Sequence, residues 1–266
     1  MRSRSPATMV RAPRAQASSS VSTAAGWESE ISGSMGRGGS SNPARDYRRR
    51  PPSYAGGLRN CDDLPMSEPR FTDEALAAPD LRPGDSWTFV VRDADADAAQ
   101  AQPLVVHSRV VAVDAGVVEL DVRRGDEDWL RTRMDPLLGV LERELAPGDS
   151  LRYTPALAQL RFPLRVGRRW SATVRRCQEQ WWQEDELHTE GEVLGASWID
   201  VPAGRFAALL LRFACRLPQG RVDAELWYAP AAARVVRGIE HTRSDDDDVG
   251  VRVEFVLQTL NRLRSI

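Results

Sequence analysis

The chain has 266 residues, with 36 arginines, no lysine and 38 acidic residues, and its net charge is −2. This near-neutral total combines a basic part, residues 1–65 with a net charge of +5, and an acidic part, residues 66–266 with a net charge of −7. A nucleic-acid-binding face needs clustered positive potential, so the acidic part argues against a nucleic-acid partner. No run of about 18 apolar residues is present, and the sequence therefore predicts no membrane span.

The two parts also differ in residue pattern. Residues 1–65 are rich in Arg, Ser, Ala, Gly and Pro and have no apolar periodicity, which predicts a disordered low-complexity tail. We expect one all-β domain in residues 66–266, and Met66 is an alternative start of translation. The N-terminus lacks the apolar run of a signal peptide, which makes the cytoplasm the default location. The odd number of cysteines and the lack of a Cys-x-x-Cys motif favour neither a disulfide framework nor a zinc site.

Apolar and polar residues alternate from position 87 onward, as is typical of strands with one buried face. Leu81–Asp85 forms a turn before the first strand, and Asp114–Gly116 connects two later strands as a hairpin. In the first half of the domain, the alternation predicts strands over residues 87–91, 104–113, 117–123, 129–134 and 140–145.

Residues 153–170 interrupt this pattern. Pro155 and Pro163 punctuate the segment, and proline cannot donate a hydrogen bond to a central strand. We therefore predict a long irregular loop here, which is the kind of segment that often carries function.

The alternation is clearest after this loop. It predicts further strands over residues 170–183, 187–201, 205–216, 221–228, 234–241 and 249–257. If the first three form a meander, Cys177 and Cys215 are separated by an intervening strand and face opposite sides of the sheet. We therefore expect no disulfide between them. About ten antiparallel strands exceed what a flat open sheet accommodates, so the fold class is all-β, with a curved sheet as a half-barrel or two layers.

Several strand and turn motifs resemble a known group of proteins. These are Phe162-Pro163-Leu164, Val201-Pro202-Ala203-Gly204 and Leu226-Trp227-Tyr228-Ala229-Pro230. Over residues 150–260 the chain resembles the uncharacterised bacterial TapB-like and related domain-of-unknown-function proteins. The resemblance implies a curved antiparallel sheet akin to lipoprotein-carrier folds and a location in the cell envelope, and it transfers no catalytic residue.

Residues with metal-binding or catalytic chemistry are present but have the wrong spacing. Asp93, Asp95 and Asp97 match the first ligands of a calcium loop, but the required glycine and final glutamate are missing. The four aspartates of residues 245–248 fit a solvated hairpin tip. None of the three histidines lies within five residues of a cysteine or another histidine. The sequence therefore assigns no catalytic residue, metal or cofactor.

Aromatic residues supply the candidate ligand-binding site. Adjacent positions of a strand point to opposite faces, so Trp227 and either Trp181 or Trp182 should lie away from the core. Together with Tyr228 and Phe162, they form the predicted ligand-binding set. The leading hypothesis is a non-catalytic module that binds an apolar or amphipathic ligand in the concavity of the sheet. A structural or protein-interaction domain with an exposed aromatic face is the alternative, and a hydrolase is the third reading.

Overall fold

The computed structural model describes residues 69, 71, 75–95, 102–178, 183–245 and 250–262. Strands in these residues pair antiparallel with their neighbours in sequence, and the first also pairs with the last. The strands are β1 (Ser86–Asp93), β2 (Leu104–Asp114), β3 (Val117–Arg124), β4 (Leu130–Met134), β5 (Val140–Ala146), β6 (Asp149–Leu157), β7 (Arg169–Gln178), β8 (Gln183–Val201), β9 (Gly204–Leu217), β10 (Gly220–Ala229), β11 (Arg234–Ser244) and β12 (Gly250–Asn261).

The sheet closes into a twelve-stranded barrel. Its closing pair joins β1 to β12, with Ser86 opposite Asn261 and Asp93 opposite Val253. The all-β antiparallel prediction is confirmed, but the expected half-barrel or two-layer sheet is wrong. An open sheet would leave unpaired backbone groups along its two outermost strands, and closure pairs them with each other.

The alternating apolar residues fill the interior of the barrel. Trp87 and Phe89 on β1 and Phe255 on β12 are buried, and Leu211 and Phe213 on β9 are fully buried. The rings of Phe89 and Phe255 contact edge to face, with 6.1 Å between their centroids. This packing is the main source of stability, because each large apolar side chain contributes about 1.5–3 kcal/mol when buried.

Ion pairs link the strands on the outer face. Asp121 on β3 accepts hydrogen bonds from Arg109 on β2 at 3.1 Å and from Arg131 on β4 at 2.8 Å. These interactions raise the pKa of Arg131, chiefly through the hydrogen bond to Asp121. The two arginines are about half exposed, so these pairs contribute modestly to stability. The charged outer face also fixes which side of each strand faces inward.

The proline-rich segment is partly a strand, so the predicted loop over residues 153–170 is wrong in its first part. Strand β6 continues to Leu157, which pairs with Val140 on β5. On the other side, pairing with β7 stops at Thr154, immediately before Pro155. A residue without a backbone N–H is compatible with a strand where it has no ladder partner on that side.

The rest of that segment, residues 158–168, covers one end of the barrel, here called the covered end. Leu160, Phe162 and Leu164 are buried in the core. Leu164 forms a short bridge with Leu76, with N···O distances of 2.7 and 2.8 Å. The irregular segment therefore provides apolar packing across the barrel opening.

The predicted arrangement of the cysteines is confirmed. Strand β8 lies between β7 and β9, and both Cys177 and Cys215 are free thiols. Cys215 is buried inside the barrel with Leu211 and Phe213. Cys177 follows the inward-facing Arg176 and so lies on the outer face.

Candidate functional site

The structure separates the aromatic residues that were predicted to bind a ligand. Phe162 and Tyr228 are buried and contact edge to face, with 5.5 Å between ring centroids. Burial raises the pKa of the Tyr228 hydroxyl. Trp227 lies on the outer face, where the guanidinium of Arg237 sits 5.3 Å from its ring centroid. Phe162 and Tyr228 thus contact each other in the core, whereas Trp227 lies on the other face of the sheet.

The remaining two members of this set, Trp181 and Trp182, lie outside the described residues. A ligand-binding role for the aromatic set stays a prediction.

A cavity of about 60 Å³ lies inside the barrel, between the β3–β6 wall and the β11–β12 wall. Its lining is mostly apolar and includes Leu120, Met134, Leu157 and Phe255. Four polar side chains also line it: Thr132, Arg143, Gln159 and Arg234. We call this space the Arg143 cavity.

Strand register explains why an arginine faces inward here. Arg143 on β5 lies opposite Thr132 on β4 and Leu151 on β6, and both of these neighbours are buried. Residues directly opposite each other in adjacent strands point to the same face of the sheet. Arg143 therefore occupies a position that an apolar residue normally fills, and only 4% of its surface is exposed.

Two hydrogen-bond donors in the cavity lining are unsatisfied. Nε of Arg143 and Nε2 of Gln159 are buried and have no hydrogen-bond partner in the described part of the chain. A buried polar group without a partner costs about 1–3 kcal/mol, and a charged group costs more. Such groups are uncommon in folded proteins, and an acceptor atom of a water or of a ligand would satisfy them.

The second arginine in the lining is supported by an aromatic ring. The guanidinium of Arg234 lies 5.4 Å from the ring centroid of Trp87, and the indole N–H of Trp87 donates to the carbonyl of Ala232 at 2.9 Å. The Trp87 ring thus anchors the positive charge of Arg234 against one wall. Two guanidinium groups consequently face a space with largely apolar walls.

A smaller pocket of about 10 Å³ adjoins the cavity at the ends of β3, β4 and β5. Arg143 and Thr132 line both spaces, whereas Arg124, Glu127 and Glu144 line only the smaller pocket. Backbone pairing between β4 and β5 ends at Thr132 and Arg143. Beyond that pair, the Arg131 N–H donates to the Glu144 carboxylate at 2.8 Å instead of to a strand. Arg143 therefore separates the interior cavity from the barrel rim.

Arg143 was not among the predicted site residues, although the residue pattern around it is unusual. In the predicted strand over residues 140–145, Arg143 lies two residues from both Leu141 and Leu145. An arginine in the alternating apolar series predicts either a buried charge or a change of register, and only the observed pairing distinguishes the two.

His188 and Asp93 each interact with a neighbouring residue. His188 lies 3.1 Å from the Thr173 hydroxyl and 3.4 Å from Glu186, but its side chain is 59% exposed on the outer face. Asp93 accepts a hydrogen bond from the backbone N–H of Asp95. Within the residues described, no group of three or more His, Cys, Asp or Glu side chains is placed to hold a metal ion. Asp97 and residues 246–248 lie outside the described residues.

Comparison with known proteins identifies no family. No family model matches the chain and no curated protein matches it, so the name TapB in the resemblance is not supported. Three solved bacterial structures are similar to the chain. A candidate exported protein with a YmcC-like fold from Bacteroides fragilis has a TM-score of 0.47 and 14% identity, and the match covers 71% of this chain and 100% of that chain. A candidate lipoprotein from Parabacteroides distasonis has a TM-score of 0.42 and 16% identity (71% and 100% covered), and the hypothetical lipoprotein YmcC from Escherichia coli has a TM-score of 0.41 and 12% identity (67% and 86% covered). Among the residues that the structure describes, no helix is long and apolar enough to cross a membrane.

Proposed function

We propose that the barrel is a non-catalytic binding module that takes a small amphipathic molecule into the Arg143 cavity. The observation that supports this proposal is the combination, in one cavity, of largely apolar walls with buried donors that lack partners. Small-molecule sites typically pair apolar walls with a few polar groups that orient the ligand.

The volume of the cavity limits the size of the ligand. Since one water needs about 10–15 Å³, a cavity of about 60 Å³ holds a few waters or a ligand of a few non-hydrogen atoms. Pockets for drug-sized ligands occupy about 300–1,000 Å³. A long lipid tail does not fit this space. We therefore propose a short ligand inside the barrel, in place of a ligand held in the open concavity of a curved sheet.

Met134 provides a reporter for testing this proposal. Its side chain lines the cavity, and the other four methionines lie within residues 1–66. In protein labelled with ¹³C at the methionine methyl groups, titration with propionate, propionamide and 1-propanol should shift the Met134 signal saturably for at least one of the three. The methyl groups within residues 1–66 serve as internal controls.

A matched pair of variants separates binding in the cavity from binding elsewhere. Val140→Phe should fill part of the cavity and weaken the saturable shift, because Val140 is part of the lining. Val113→Phe should leave the shift unchanged, because Val113 lies outside the lining and is 45% exposed. Absence of a saturable Met134 shift with all three compounds would refute the proposed function. An equal response in both variants would place binding outside the cavity.

A further inference from the structure

The unsatisfied groups in the Arg143 cavity also indicate the chemical class of the ligand. Nε of Arg143 and Nε2 of Gln159 are both donors, since a guanidinium has no acceptor and the amide nitrogen of glutamine only donates. A ligand that satisfies these groups must therefore present acceptor atoms. A ligand whose polar head carries only donors would leave them unpaired.

The charge of the lining favours an anion over a neutral acceptor. Among the described residues that line the cavity, Arg143 and Arg234 are basic and none is acidic. The buried acid Glu240 belongs to the barrel interior but not to this lining. No carboxylate of the described residues forms an ion pair with the buried Arg143. A buried cation without a counter-ion is strongly disfavoured, and an anion bound beside Arg143 would offset that penalty.

The geometry of a guanidinium favours a planar head group. Arginine presents paired donors in a rigid fork that matches the two oxygens of a carboxylate, and such charge-assisted pairs are about twice as strong as neutral hydrogen bonds. The apolar side chains around Arg143 provide contacts for a short hydrocarbon body. We propose that the barrel binds a short-chain aliphatic carboxylate, whose carboxylate contacts Arg143 and Gln159 and whose hydrocarbon part contacts the apolar walls. This inference rests on the proposed function.

Carboxylates of the protein itself lie near Arg143, and one of them could neutralise its charge in place of a bound anion. Glu127, Asp128 and Glu144 line the smaller pocket at the rim. The Glu144 carboxylate already accepts a hydrogen bond from the Arg131 backbone. Neutralisation of Arg143 by one of these acids in solution would remove its preference for an anionic ligand. The experiment must therefore measure that preference directly.

The test compares propionate with propionamide, which have the same number of non-hydrogen atoms and differ in charge. We expect the Met134 methyl titration to give a dissociation constant at least about tenfold lower for propionate, as follows from the strength of hydrogen bonds between charged groups. Equal affinities would overturn the inference and leave the proposed function standing. If neither compound nor 1-propanol shifts Met134, the proposed function and the inference both fail.

Variants of Arg143 show whether this residue carries the preference. Arg143→Met should abolish the preference for propionate and retain binding of propionamide or propanol. Arg143→Lys keeps the charge but loses the fork, and should weaken propionate binding while retaining some preference over propionamide. Arg152→Met is the control, because Arg152 lies on the neighbouring strand and its side chain is 55% exposed. A preference for propionate that is unchanged in Arg143→Met would place the anion elsewhere and overturn the inference.

Discussion

Replacement of Arg143 by methionine should stabilise the ligand-free protein. Most substitutions of a buried residue destabilise a fold, but this one removes a buried charge whose Nε has no hydrogen-bond partner among the described residues. Methionine is long and flexible enough to retain contacts with the apolar lining. The expected direction is therefore the opposite of the usual one.

The structure sets the magnitude of this effect. An unsatisfied buried donor costs about 1–3 kcal/mol, and its removal should raise the free energy of unfolding by that amount. For a domain of this size, each kcal/mol raises Tm by roughly 2–4 °C. The gain should occur without added carboxylate. It should shrink when propionate is present, because the wild-type protein binds propionate more tightly than the variant and is stabilised more by it.

Urea unfolding followed by tryptophan fluorescence measures the change. The midpoint should rise with an unchanged m-value, which shows that stability has changed and the surface exposed on unfolding has not. Arg152→Met is again the control. It breaks an exposed contact with Glu142 at 3.4 Å and should alter stability by no more than about 1 kcal/mol. A loss of about 3–5 kcal/mol in Arg143→Met would refute the reasoning, because it would show that Arg143 belongs to a buried ion pair.

Four further predictions concern the barrel itself. In urea unfolding, Gly191→Ala should lower the free energy of unfolding by about 1–3 kcal/mol, because the added Cβ would lie 2.1 Å from a ring atom of Trp170. Gly195→Ala is the control and should not show this overpacking effect, because no atom lies within 4 Å of its Cβ position. Leu211→Ala should lower the free energy of unfolding by about 2–5 kcal/mol, since removal of this fully buried side chain would leave a cavity. An unchanged midpoint of urea unfolding would contradict its position in the core. Iodoacetamide should modify Cys177 in the native protein and Cys215 only after unfolding, as mass spectrometry of the alkylated peptides would show. Burial raises the pKa of Cys215 from 9.0 to about 12, so the folded protein keeps this proton while the unfolded chain loses it. Stability should therefore fall as the pH rises through that range, and Cys215→Ala should make the fall less steep.

The sequence alone predicted most of the strands, for a local physical reason. Side chains in a strand alternate between faces, so a buried face leaves a period-two pattern that pairing partners do not alter. The strand over residues 249–257 and its apolar members Val253, Phe255 and Leu257 were visible in this way and are buried in the barrel. The separation of Cys177 and Cys215 followed from the same alternation together with the order of three consecutive strands.

Closure of the barrel was decided only by the tertiary structure. β1 and β12 come from opposite ends of the domain, and no local sequence pattern predicts which distant strands pair. The strand containing Pro155 was missed for a related reason. A proline excludes a strand with two hydrogen-bonded neighbours, but the tertiary structure leaves this residue without a partner on β7.

The candidate site shows the same division between local and tertiary information. Alternation placed Trp227 on the outer face and Tyr228 in the core, because adjacent residues point in opposite directions. The sequence alone could not show that Arg143, Gln159 and Arg234 line one cavity, since they come from three separate segments and Arg234 is far from the other two along the chain. Their convergence depends on the register of β4, β5 and β6 and on the closure that brings β11 and β12 across the barrel. The periodicity of the chain thus determined which faces are apolar, and the closed pairing of the strands decided which buried charges meet.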